Sequence, residues 1–189
     1  EEAFMKALAL AVSGAALSVA LPASASPSVM TIGGSFAEGC FEAAKNRNAG
    51  LDTLRTCDSA IAAQPLTTED MLATYVNRGI LRMIRKDYTG AQADFAAATA
   101  MDPARSEPWL NMAVLHFRQG KSAEAVSLFT KALELGTEEP ELAYFGRGLA
   151  NEDIGNVKAA YADLRKAAEL RPTWSDPPRE LARYQVHRP

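Results

Sequence analysis

A chain of 189 residues, 48% of them apolar, can build one or two packed domains. Its formal charge is −3 with both signs spread along the sequence, and no long basic block exists, so nucleic acid is not an expected partner. Only two His and two Cys are present, which argues against a metal cluster and leaves little for a catalytic constellation.

In chain order, the first element is "MKALALAVSGAALSVALPASA", from Met5 to Ala25. A single Lys6 precedes an apolar stretch, Ala7 to Leu21, and Ala23-Ser24-Ala25 fits a small-x-small cleavage rule. This is the layout of a secretory signal peptide, so residues 1–25 are read as an export segment starting at Met5, with Glu1–Phe4 outside the pattern. The apolar span of about 15 residues is short of the roughly 20 that a membrane helix needs, and no stable membrane span is expected. The mature chain would begin at Ser26 and be periplasmic or secreted. Residues 26–35 read as a flexible leader.

Cys40 and Cys57 come next, equidistant from the turn sequence "NRNAG" (46–50). In an antiparallel hairpin, residues equidistant from the turn lie at the same height, and export adds an oxidising compartment. A disulfide is expected, worth roughly 3 kcal/mol in the chain-entropy estimate. Two free buried thiols are the alternative. Without a CxxC spacing, redox catalysis is not suggested.

From residue 72 onward the chain repeats itself. "ADFAAATAMDP" (93–103) returns as "ADLRKAAELRP" (162–172). The columns Ala91, Ala125, Ala160 and Ala98, Ala132, Ala167 recur with a period of about 34 residues, with a slip in "GTEEPE" (136–141). Gly79, Ala113 and Gly148 align, as do Phe95, Phe129 and Leu164, and Asn77 with Asn111. Each unit holds two helical stretches of about 14 residues, broken at 86–90, 119–122 and 154–157, and Pro103 and Pro172 end the second. Small residues at fixed places let two backbones approach, but one hairpin cannot bury its own faces. Stacking does so, and stacking makes a solenoid.

One pair of columns varies together. Arg78 goes with Asp94 and Arg147 with Asp163, while the middle unit has Met112 and Leu128 there. Bidentate ion pairs between facing helices are expected, with packing in the middle unit. Ligand binding by the arginines is the alternative.

With Trp109 or a Tyr at the fourth position and the Gly/Ala, Ala, Phe/Leu, Ala and Pro columns above, units 72–105, 106–139 and 141–174 resemble the tetratricopeptide repeat. The resemblance implies an all-α, helical-hairpin solenoid. Residues 36–66 read as a degenerate first copy: Ala60 and Pro65 fit the Ala and Pro columns, while Phe41 stands where a small residue is expected. Residues 175–189, with "DPPRELARYQV" (176–186), read as a C-terminal capping helix.

In that family the first helix of each unit lines a concave groove. Carried over, the wall comprises Val76, Asn77 and Ile80, then Leu110, Asn111, Val114 and Phe117, then Phe145 and Leu149. Family members that clamp a terminal carboxylate place Lys and Arg at several of these positions, and Leu142 and Gly146 stand here where two cations would, so no such clamp is expected. The Asn column either serves a guest backbone or ties neighbouring helices. The implied function is an exported scaffold that binds a protein or peptide partner. The alternative is a structural, self-associating subunit whose groove is filled internally or by a second copy. His116 reads as a packed ring and His187 lies in the tail. No catalytic residue, metal ligand or cofactor site is expected.

Overall fold

The computed structural model describes residues 35–184. The export segment, the leader up to residue 34 and the last residues of the expected cap lie outside them. Among the described residues there are nine helices and no strand. They run α1 Ser35–Lys45, α2 Leu51–Ala63, α3 Thr68–Ile84, α4 Tyr88–Met101, α5 Ser106–Arg118, α6 Ser122–Glu134, α7 Pro140–Asp153, α8 Val157–Leu170 and α9 Asp176–Leu181. None is long and apolar enough to cross a membrane.

Local chemistry sets the helix ends. Thr67 caps α3 by accepting from the Asp70 backbone N–H at 3.1 Å while its hydroxyl donates to the Asp70 carboxylate at 2.7 Å. Asp87 caps α4 by accepting from Gly90 N–H at 3.0 Å. Such caps are each worth ~1 kcal/mol. The C-termini of α1, α3, α5, α6 and α7 share another device, a left-handed residue followed by a backbone bond back into the last turn. The left-handed residues are Arg47, Lys86, Gly120, Gly136 and Gly155. The bonds run from the next N–H, as from Lys121 to His116 O at 3.0 Å and from Asp87 to Arg82 O at 2.9 Å.

The helices pair as α1/α2, α3/α4, α5/α6 and α7/α8, each hairpin stacking on the next. Every seam is closed by the following unit. Leu81 of α3 completes the cluster of Cys40, Ala43, Ala44 and Cys57. Leu115 of α5 completes the one around Phe95. Trp174, just before α9, completes the one around Phe129 and Phe145. A Cβ on Gly79 would meet the Phe95 ring at 2.5 Å, so the helix backbone itself is the packing surface there. At Ala113 a methyl occupies the equivalent place. The Phe129 ring instead lies over Gly146 of the next unit, where a Cβ would collide with it. That contact accounts for Gly146 breaking the Asn column.

Cys40 and Cys57 are joined in a disulfide with Cα atoms 4.8 Å apart, and both are fully buried. It crosses from α1 to α2 at one level of the first hairpin.

Candidate functional site: the first-helix wall

The first helices α1, α3, α5 and α7 pack side by side in that order and form one wall. The structure distributes the residues assigned to this wall over two depths. Val76, Ile80, Leu110 and Phe145 belong to the buried clusters between helices. Val114, Phe117 and Leu149 are half-buried, each packed on a cluster with part of its surface left in solvent. Phe145 is further covered by Trp174, whose ring centroid lies 4.6 Å away. Tyr184 and Leu181 pack against the same cluster, so the chain's own C-terminal segment fills that end.

The two wall asparagines differ. Asn77 is 1% exposed and its Oδ1 is buried without a hydrogen-bond partner. Asn111 is partly exposed, and its Nδ2 donates to the Glu107 carbonyl one turn earlier at 2.9 Å. Glu107, in the first turn of α5, also has a buried carboxylate oxygen without a partner. Beside it, burial and then Glu141 push the Glu139 carboxyl up to about 7, against the pull of Arg171. At the other end of α5, burial pushes Arg118 down, and the Arg47 charge adds to this.

Between first and second helices lie the ion pairs. Arg78 donates from Nη2 to Asp94 Oδ1 at 2.6 Å and from Nε to Oδ2 at 3.1 Å, and Arg82 Nη1 adds 2.9 Å to the same carboxylate. Arg147 clasps Asp163 with two bonds of 2.8 Å. Both arginines also reach back into the preceding unit. Arg78 Nη1 donates to Asp58 at 2.7 Å, and Arg147 Nη1 to the Thr130 hydroxyl at 3.1 Å. Asp58 and Thr130 stand in one column, each two residues before the Ala60/Ala98/Ala132 position, and Asn151, which donates to Asp163 at 3.2 Å, stands in the column of Arg82, which donates to Asp94. Residue type changes within each of these columns, so matching identities does not find them. The arginines are thus committed to carboxylates at helix seams. Met112 packs on the Phe95 cluster and Leu128 on the next.

Burial and then Lys121 lower the His116 pKa, Glu124 opposing, and its Nδ1 is buried without a partner. Among the described residues no group of three His, Cys, Asp or Glu could hold a metal ion.

Repeated helical hairpins, a regular seam and one continuous first-helix wall define a repeat solenoid. A tetratricopeptide-repeat family profile matches residues 77–140 and again 110–177, together more than half of the chain. The chain belongs to the tetratricopeptide-repeat family. Comparison with curated proteins returns no match. Among solved structures, it is similar to one described as the first TPR of Spaghetti (RPAP3) bound to HSP90 peptide SRMEEVD. The TM-score is 0.56 at 24% identity, covering 59% of this chain and 87% of that one. At that identity the likeness speaks for the fold.

Proposed function

We propose that this chain is an exported scaffold that holds a polypeptide partner non-covalently on the first-helix wall, with no catalytic role. The observation that carries the reading is the half-buried stripe of Val114, Phe117 and Leu149 beside the partly exposed Asn111, on adjacent helices of a family whose folds present such walls. Apolar anchors flanked by an amide suit a guest helix or extended strand. The peptide bound in the similar solved structure is in keeping with this use. Export rests on the layout of residues 5–25. The disulfide in the first hairpin supports an oxidising destination, periplasmic or secreted.

The test is capture of a partner from the source cell, followed by affinity measurement with Phe117→Asp and Leu149→Asp. Each places an unpaired charge on the wall. A loss of tenfold or more is expected, with the helical circular-dichroism signal retained. Leu110 is unsuitable for this purpose, because at 4% exposure a charge there would unfold the seam. Wild-type affinity in both variants would remove the wall as the site. The alternative, a self-associating subunit, draws on the filling of the α7 end by Trp174. It requires a doubled mass in sedimentation equilibrium.

A further inference from the structure

Nine of the twelve arginines among the described residues are held by a carboxylate, as in the pairs Arg105–Glu69, Arg171–Glu141 and Arg183–Glu152. Arg47, Arg85 and Arg118 are the three described arginines that no carboxylate pairs with, and they gather at one place. Arg85 Nη1 donates to the Ala49 carbonyl at 2.9 Å, which ties it to the loop that carries Arg47. Arg118 is the last residue of α5, which packs beside α3 in the wall, and the Arg47 charge reaches it across α3. The turns after α1 and α3 therefore meet the end of α5 at one mouth of the wall. Lys86 adds a further cation in the same turn as Arg85.

Two features make this more than a solvated edge. Arg118 is half-buried, so its charge has given up water without gaining a counter-charge. The turns also differ among themselves. After α5 and α7 the left-handed position is glycine, Gly120 with φ 73° and Gly155 with φ 79°. After α1 and α3 it is a cation, Arg47 with φ 54° and Lys86 with φ 65°. A side chain in that conformation is strained where glycine would not be. Two acids in or just after these turns are engaged: Asp52 pairs with Arg55, and Asp87 caps α4.

We propose that this mouth is an acid-receiving subsite for the guest polypeptide, in which Arg118, Arg47 and Arg85 take Asp or Glu side chains adjoining the guest's apolar anchors. The proposal rests on the wall being the binding face and adds the chemistry of what it selects. Guanidinium groups grip carboxylates with two parallel bonds, and clustered like charges favour an acidic visitor over a neutral one. Leader residues 26–34 contain no Asp or Glu, so that segment cannot supply the charge. The subsite also differs from a terminal-carboxylate clamp on the wall, whose cation positions hold Leu142 and Gly146 here.

A displayed random-peptide library, selected in parallel on the full chain and on the Arg47→Gln/Arg85→Gln/Arg118→Gln variant, tests this. The wild type is expected to enrich peptides joining acidic and apolar residues, and the variant to keep the apolar preference while losing the acidic one. One enriched peptide, synthesised with a fluorophore, should bind the variant at least tenfold more weakly by anisotropy and should weaken as salt rises. Arg47→Gln alone, in an exposed turn, keeps the test open if the triple variant misfolds and should still weaken binding several-fold. Apolar enrichment without acidic bias, or acidic bias unchanged in the variants, would overturn the subsite while leaving the wall in place. Failure to enrich any peptide would overturn both.

Discussion

Glu139 is the N-cap residue of α7, but its side chain makes no capping hydrogen bond. Burial first, and then the neighbouring Glu141, raise its carboxyl from an ordinary value of 4.5 to about 7, with Glu138 and Glu107 adding to the effect and Arg171 opposing it. The raised folded value fixes the sign of its pH dependence. Below about 4.5 the group is protonated in both states and costs nothing. Between 4.5 and 7 the unfolded chain releases the proton and the folded chain retains it, so stability falls as pH rises and the loss is complete above 7. Thermal melts of the wild type should therefore decline across this interval relative to Glu139→Gln. Parallel curves for the two proteins would show that Glu139 titrates normally. Nothing in one dimension marks this residue's setting beyond the irregular spacing of "GTEEPE". Its environment includes Glu107 from the preceding unit, which lies nearby only because the units stack.

Between elements, the Arg–Asp clasps couple the first and second helices of a unit. Asp163 is 7% exposed and accepts from both Arg147 and Asn151. Arg147→Met should cost about 1–3 kcal/mol by leaving a buried acid under-paired. Adding Asp163→Leu should recover part of the loss, because the middle unit already tolerates Met112 and Leu128 in those columns. Recovery should be incomplete, since Thr130 and Asn151 also lose a partner. Urea melts of the two single variants and the double variant complete the cycle, and strict additivity would mean the residues do not couple. The covarying columns made these pairs readable in the sequence. Their branches to Asp58 and Thr130 were not readable, because the column two residues before Ala60 and Ala132 holds a carboxylate in one unit and a hydroxyl in the other.

At the level of the molecule, the small-residue columns were enough to indicate repeated helical hairpins, since close approach of two backbones recurs from unit to unit even where the larger side chains change partners. The depth of the wall residues was not legible in the same way. Whether a stripe residue is core or surface depends on how each unit leans on the next and on what closes the end. Phe145 is the clearest case: its column marks it as wall, and Trp174 covers it. Trp174 is 6% exposed, with Nε1 donating to Asp176 at 3.0 Å. Trp174→Ala should cost about 3–5 kcal/mol. In a chain of nearest-neighbour units that loss should remain local. Hydrogen exchange should speed up in α7, α8 and α9 while α1, α2 and α3 keep their protection, and uniform acceleration would show a globally cooperative fold instead. The disulfide gives this arrangement a direction. It locks only the first hairpin, whereas the last described residues are held by a six-residue helix, the Trp174 indole, Tyr184 and the Arg183–Glu152 pair. Under heat, tension or a processive protease, the molecule should unzip from its C-terminal end and stop at the cross-linked first pair of helices, leaving a partly peeled ladder whose surviving rungs are those nearest the acid-receiving mouth.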